Sequence, residues 1–329
     1  MPVFDRESLV DASIRSVIEQ DFRDFELLIV DDGSTDRTPE VLRAWAERDP
    51  RIVIVTAPEN LGIPGALNFG LSRARAPYVA RQDSDDLMMP GRLAAQAAVL
   101  QERPDVVLVS CSYETMNVEG QYLGTWPGDE PHEAVVYLLN FYNVVGGGGQ
   151  IMFRRDEVLA EGGYAREFPG SEDYDLWVRL LRRGRILSLP FIGMKKLDHG
   201  GNSLVQYAAR KRANWTAIMR RSLEPYLQRA VRDEEIEALI TLWRHDGKLG
   251  KGPIADTVMR EAFARFRREH ADPQLRLGVR ERVARQWLDA ADRFAAAGQR
   301  AEARLYTLRA ARWSPTLAAR RLYSTIKRH

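Results

Sequence analysis

The chain has 329 residues, 45% hydrophobic and 29% charged, an ordinary globular composition at a length that suggests two units. Its one cysteine, Cys111, excludes intramolecular disulfides and argues against a cysteine-based zinc site, which suits a reducing compartment. The net charge of +2 conceals an asymmetry: residues 260–329 carry 17 Lys and Arg against 7 Asp and Glu, so this tail is +10 and the rest is −8. No apolar run approaches the roughly 18–20 residues that span a bilayer. The opening "MPVFDRESL" lacks the basic and apolar regions of a signal peptide. The expectation is a cytoplasmic protein, or one held on the inner face of a membrane, with no nucleic-acid partner.

Along the chain, "FELLIV" (25–30), "RIVIV" (51–55), "APYVA" (76–80) and "DVVLVSC" (105–111) are short apolar runs, as expected of strands covered on both faces. Between them lie helical patterns at 38–48, with Pro39 at the first helical position, at 63–75 and at 91–102. This alternation predicts βαβ units and a mainly parallel sheet flanked by helices, an α/β fold. After residue 112 the rhythm breaks. A hairpin is expected in "YETMNVEGQYLGTWP", helices in "HEAVVYLLNF" and "SEDYDLWVRLLRRG", and strands in "QIMFRR" and "RILSLPFI".

Strand-end residues carry information in such a sheet, because ligands bind beyond the carboxyl ends of its strands. "FELLIV" runs into "DDGSTD", and "APYVA" runs into "RQDSDD". Two acidic clusters then share one rim, where they would repel each other. A divalent cation relieves that cost, since Mg²⁺ and Mn²⁺ take oxygen ligands and bridge carboxylates to phosphates. The phosphate-binding alternatives G-x-x-x-x-G-K-[ST] and G-x-G-x-x-G after a strand are missing.

With "SIRSVIEQDFRDFELLIVDDGSTDRT", "NLGIPGALNFGL", "RQDSDDLMMPGRL", "SEDYDLWVRLL" and "HGGNS" in order, residues 1–205 closely resemble family 2 glycosyltransferases of the A-type nucleotide-diphospho-sugar transferase fold. The resemblance implies a metal-dependent, inverting transfer of a sugar from a nucleotide diphosphate, most often a UDP-sugar, to a hydroxyl of a saccharide or lipid-linked acceptor. It places Asp32 on the nucleotide base, with Pro2 and Phe4 lining that pocket. Asp83 and Asp85 match the D-x-D pair: Asp85 takes Mn²⁺ or Mg²⁺, and Asp83 takes the ribose or the metal. Asp86 is expected to be structural, near the following helix. Asp173 matches the general base, with Glu172 beside it on the acceptor side, and His199 stands as a further metal ligand near the diphosphate. Gly148 and Gly149, in the run 146–149, would border the acceptor as a mobile, open-backed wall. Trp126 and Trp177 could stack on a sugar, although a helical Trp such as Trp177 is more often core. Two rivals are weaker. A non-catalytic nucleotide-sugar scaffold has no need of both acidic motifs, and a nucleotidyltransferase needs a basic Gly-rich loop that "MPVFDRES" does not offer.

Residues 206–329 read as an α-helical C-terminal extension outside the resemblance. One tetratricopeptide-like hairpin is suggested near 284–316, though a lone repeat is weak evidence for an array. The basic tail, with Trp287, Phe294, Tyr306, Trp313 and Tyr323 among its arginines, could contact an anionic membrane surface. At the other end, the resemblance sets an apolar strand directly before "PVF", so five to eight upstream residues are expected to precede Met1.

Overall fold

A computed structural model of the chain describes residues 1–199, 208–244 and 252–326. They divide into two compact units, Met1–His132 with Val145–Asn214, and Glu133–Val144 with the chain from Trp215 onward. The segment 133–144 belongs to the second, helical unit.

In the first unit the apolar runs form strands, most of them packed against amphipathic helices, while the run 51–55 leaves Val53 exposed. β1 (Pro2–Val3), β2 (Leu27–Asp31) and β3 (Ile52–Thr56) make a parallel three-stranded sheet in the order β1-β2-β3. On one side, Val10, Ile14 and Val17 of α1 (Val10–Ile18) and Leu42 and Trp45 of α2 (Thr38–Arg48) are buried in one core with Leu27 and Ile29. α3 (Gly62–Leu71) approaches β2 closely: a Cβ at Gly70 would lie 2.9 Å from Val30 Cγ2. The second sheet holds β4 (Tyr78–Ala80), β5 (Leu87–Met88), β6 (Val106–Asn117), β7 (Tyr122–Trp126), β8 (Met152–Arg154) and β9 (Arg185–Asp198). Its order is β4-β8-β6-β9-β5, with β7 paired to β6 as the expected hairpin.

The α/β class holds, and the break in rhythm after residue 112 has a structural counterpart. β8 follows a short helix (His132–Leu138) and a 3₁₀ turn (Gly148–Gln150), and it pairs antiparallel to both β4 and β6. Only β6 and β9 run parallel in this larger sheet, which is therefore mixed. β1 ends one strand order and β4 ends the other. Two short elements, β5 and α6 (Arg155–Ala160), are not expected from the sequence, since neither is long enough to show a period.

α4 (Arg92–Glu102) begins with a fully buried cation. Arg92 donates from Nη2 to the carbonyls of Arg81 (2.8 Å) and Ile151 (3.2 Å), from Nη1 to Gln82 Oε1 (3.1 Å) and from Nε to Gln96 Oε1 (3.1 Å). Its guanidinium thus ties α4 to the end of β4 and to the start of β8.

In the helical unit, α8 (Ala208–Leu227) contributes its residues from Trp215, followed by α9 (Asp233–Arg244), α10 (Gly252–Glu269), α11 (Pro273–Ala296), α12 (Arg300–Trp313) and α13 (Pro315–Ile326). α5 (His132–Leu138) supplies its residues from Glu133. α11 and α12 form a helical hairpin around Gly298, whose φ of 75° suits a glycine. The Tyr306 ring sits 4.8 Å from Phe294 and 5.2 Å from Trp287. Trp287, Phe294, Tyr306 and Trp313 are all buried, which corrects the idea that they offer an aromatic face to a membrane. Tyr323's side chain lies outside the described residues. Among the described residues, no helix is long and apolar enough to cross a membrane.

Arg92→Met should destabilise the chain by about 3 kcal/mol, because it strands several buried carbonyl acceptors at once. Arg103→Met, at a half-exposed surface pair, should stay within about 0.5 kcal/mol of the parent. Urea unfolding followed by tryptophan fluorescence makes the comparison.

Candidate active site

The rim at the carboxyl ends of β2 and β4 collects the predicted residues. Asp31 and Asp32 follow the apolar run of β2, and both are buried. Asp31 Oδ1 accepts from Ser34 N (3.0 Å), so the turn-capping role falls to Asp31. Asp32 Oδ1 instead accepts from Leu61 N (2.8 Å), and its own amide donates to Val3 O (2.9 Å). Burial raises the Asp32 carboxyl above its ordinary value, against the pull of the Leu61 and Gly62 amides. Pro2 of β1 pairs with Val30 of β2, and Phe4, just beyond, is 42% exposed.

The segment 81–86 is fixed by its own polar side chains. Gln82 Nε2 donates to the carbonyls of Asp83 (3.1 Å) and Asp86 (2.8 Å), and Ser13 Oγ donates to Asp83 O (2.9 Å). Asp83 Oδ1 accepts from Arg81 Nε at 3.0 Å. Burial pushes this carboxyl upward, but the charges of Arg81 and Lys196 outweigh it and hold it below the ordinary carboxylate value. Asp85 Oδ2 lies 2.9 Å from His199 Nε2 and 3.6 Å from Arg6 Nε. Asp86 turns away from the rim: it is buried and accepts from Leu197 N of β9 at 3.0 Å. Burial, then the charges of Asp83 and Asp85, push Asp86 up to about 8. Its structural role stands, but the contact is with β9, while α4 is preceded by Gly91 in the left-handed region. Of "HGGNS", His199 is placed and 200–203 lie outside the described residues.

Glu172 and Asp173 open α7 (Glu172–Leu180). Burial comes first in raising both carboxyls; Glu172 reaches about 7 with help from the charge of Asp173. Arg81 Nη1 lies 3.8 Å from Glu172 Oε1, so one buried guanidinium faces both acidic motifs. Among the described residues Glu172 Oε2 has no hydrogen-bond partner. Gly148 and Gly149 are buried here rather than forming a mobile, open-backed wall. A Cβ on Gly148 would collide with the Arg81 guanidinium, and one on Gly149 would lie 3.1 Å from Asp83 Oδ2. Trp177 is core, donating to Gly146 O at 3.3 Å, while Trp126 stacks on Tyr113 at 6.1 Å between centroids.

Arg81 and Lys196 join the site without having been singled out by the motifs. Arg81 had a local signal, a cation two positions before Asp83 at the end of an apolar strand. Lys196 had none, because its strand enters from more than 100 residues away. The donor set suits a divalent ion bound partly by a ligand. Asp85 and His199 converge, while among the described residues no group of three His, Cys, Asp or Glu could hold a metal alone. Ions of the Mg²⁺ class are commonly held by one or two carboxylates plus substrate phosphates.

The sequence profile of Glycosyl transferase family 2 matches residues 1–160. The chain is 32% identical over 184 residues to the O-antigen biosynthesis glycosyltransferase WbnJ of Escherichia coli, covering 55% of this chain and 70% of that one. It is 30% identical over 214 residues to the amylovoran biosynthesis glycosyltransferase AmsE of Erwinia amylovora, covering 64% and 76%. Among solved structures, S. aureus TarS in complex with UDP-GlcNAc matches with a TM-score of 0.58 at 18% identity, covering 94% of this chain and 89% of that one. The mannosyltransferase PcManGT from Pyrobaculum calidifontis, in complex with GDP-Man and Mn²⁺, matches with a TM-score of 0.51 at 21% identity, covering 99% and 84%. At these identities the structural likeness speaks for the fold, and it agrees with the A-type fold expected from the motifs.

Gly148→Ala should displace Arg81 from both carboxylates and lower any turnover by about 10²-fold, the scale of a 1 Å misplacement. Gly147→Ala, where an added Cβ meets nothing within 4 Å, should be mild by the same assay. For Glu172, a folded value of about 7 above an ordinary 4.5 means that the folded chain keeps a proton the unfolded chain has released. That stabilisation is complete below the unfolded value and is lost as pH rises through about 7. Glu172→Gln should therefore gain stability relative to the parent between about pH 5 and 8, read from urea midpoints. A constant offset across that range would contradict the assignment.

Proposed function

The chain belongs to glycosyltransferase family 2, and on that premise we propose a metal-assisted, inverting transfer from a nucleotide-diphosphate sugar, a UDP-sugar, to a saccharide or lipid-linked hydroxyl. The pathway proposed is cell-surface polysaccharide or glycolipid synthesis, in keeping with the O-antigen and amylovoran functions named for its relatives. One observation carries the reading: Asp83 of the D-x-D pair and Glu172 of the Glu172–Asp173 pair meet around a buried Arg81.

In this reading Asp32 accepts a hydrogen bond from the base, with Phe4 and Pro2 against its ring. Asp83 takes the ribose while Arg81 fixes its rotamer. Asp85 and His199 would hold Mn²⁺ or Mg²⁺, which when bound neutralises charge on the departing diphosphate. Asp173 accepts the proton of the acceptor hydroxyl as that oxygen attacks the anomeric carbon, a role that suits a carboxyl raised by burial. Glu172, with its unpartnered Oε2, takes a second acceptor hydroxyl. Lys196 and Arg81 supply the positive field that keeps Asp83 ionised.

A panel of nucleotide sugars with Mn²⁺, screened by donor hydrolysis and calorimetry, identifies the donor. With that donor, Asp173→Asn should retain affinity and lose transfer by about 10²–10⁴-fold. Asp85→Ala should weaken donor binding itself, since the diphosphate keeps its charge and loses its bridge. Near-normal transfer by Asp173→Asn removes the base assignment. Metal-dependent binding of parent strength by Asp85→Ala removes the metal assignment.

A further inference from the structure

The turn after β1 aims one cation at the rim. Asp5 lies in the left-handed region at φ 47°, which few residues other than glycine adopt. It is clamped there, because its amide donates to Ser34 Oγ (3.1 Å) and its Oδ1 accepts from Thr35 N (2.8 Å). Arg6 follows with its backbone fixed at both ends. Its amide donates to Thr38 Oγ1 (2.8 Å), and its carbonyl accepts from Leu9 N and Val10 N at 3.0 Å each. Neither bond uses the side chain. Arg6 Nη1 donates back to Asp5 O (3.0 Å) and Phe4 O (3.3 Å), which leaves Nε 3.6 Å from Asp85 Oδ2. His199 Nε2 meets that same oxygen at 2.9 Å. Every carboxylate of the segment 83–86 is thus answered: Asp83 by Arg81, Asp86 by the Leu197 amide, and Asp85 by Arg6 with His199.

We propose that Arg6 is a placeholder cation: in the donor-free chain it neutralises Asp85 and weakens the uptake of a divalent ion there. The proposal rests on the reading of Asp85 as a metal ligand. Electrostatics support it, since a guanidinium and a divalent ion at one carboxylate repel each other. Water and salt screen that repulsion at a rim, which leaves a penalty of about tenfold in affinity at low salt. The attachment of Arg6 supports it too. Its side chain is 27% exposed and tied only to backbone carbonyls of its own turn, whereas that of Arg81 is 9% exposed between two carboxylates. Arg81 is therefore a fixed part of the site, and Arg6 is a cation that can leave without unmaking a buried pair. The bonds that shape the turn belong to Asp5 and to the Arg6 backbone, so the charge can be removed with the turn intact.

The test titrates Mn²⁺ into the donor-free full chain at low salt and follows the unbound ion by electron paramagnetic resonance. Arg6→Met keeps an unbranched apolar stem and removes the charge, so it should bind Mn²⁺ about tenfold more tightly than the parent. Arg6→Lys keeps the charge and should stay within about twofold of the parent. Adding Asp85→Ala to Arg6→Met should abolish the gain. Binding by Arg6→Met at parent strength or weaker overturns the proposal. So does an equal gain in Arg6→Lys, or a gain that survives Asp85→Ala. The single Asp85→Ala variant separates this inference from the metal reading beneath it. If Asp85→Ala lowers Mn²⁺ binding while Arg6→Met gains nothing, the placeholder alone is overturned. If the parent binds Mn²⁺ and Asp85→Ala leaves that binding unchanged, the metal assignment falls and the placeholder falls with it. Should Arg6→Met fail to fold, Arg6→Gln, which can still donate to Asp5 O, is titrated in its place and decided by the same outcomes.

Discussion

Everything at this site depends on a buried guanidinium. Arg81 is 9% exposed, yet it must remain charged, because Asp83 on one side and Glu172 on the other leave it no apolar alternative. A buried ion pair is poor evidence of stability, since desolvation offsets much of its Coulomb energy. Geometry is what it secures. With Asp83 Oδ1 bound at 3.0 Å, the carboxylate has one rotamer, and the start of α7 is held at a fixed remove from the end of β4. Gly148 follows from this arrangement: the guanidinium occupies the space a Cβ would need. A four-glycine run that reads as looseness in sequence is thus a consequence of close packing against a charge.

How much of this was legible follows from the range of each interaction. β2, β3, β4 and β6 were readable because strands covered on both faces leave runs of apolar residues. The acidic pairs were readable because unpaired carboxylates at strand ends need an explanation. Asp86 illustrates the limit. Its neighbours in sequence suggested the helix at 91–102, but its partner is Leu197 N, 111 positions away. Likewise nothing local distinguishes Asp31, which caps its own turn, from Asp32, which reaches Leu61. The antiparallel course of β8 was hidden for a similar reason, because strand direction depends on the connection that delivers it.

The helical unit shows why a charge count is a poor guide to a surface. Asp256 of α10 is buried, accepts from Trp313 Nε1 at 2.8 Å, and lies within 4 Å of Arg260, Arg309 and Arg312. Glu235 of α9 is likewise buried; burial pushes its carboxyl upward, but hydrogen bonds from Arg229 and Arg232 overcome this and hold it at about 2. Arg260, Arg309 and Arg312 of the basic tail therefore surround one interior carboxylate. The aromatics interleaved with them are core. A membrane contact, if this unit makes one, would rest on the remaining arginines and be screened by salt.

The two acidic clusters belong to separate sheets, Asp32 following β2 and Asp83 following β4, so no strand ladder fixes the distance between them. α1 does that work. It follows β1 in the first sheet, and two of its side chains, with that of Gln20 just after it, reach across to the backbone at and around the second sheet's short strand β5. Ser13 Oγ donates to Asp83 O at 2.9 Å, Ser16 Oγ accepts from Met88 N at 2.9 Å, and Gln20 Nε2 donates to Met89 O at 2.9 Å. Ser13 and Gln20 are almost wholly buried, where a bond to a backbone group is hard to replace by water. Base recognition at Asp32 and diphosphate handling at Asp85 must act on one donor at once. Their relative placement is then set by two side chains of a nine-residue helix and by Gln20 just beyond it. That is a softer constraint than a strand ladder, and it makes α1 the element through which any movement of one sheet reaches the other half of the site.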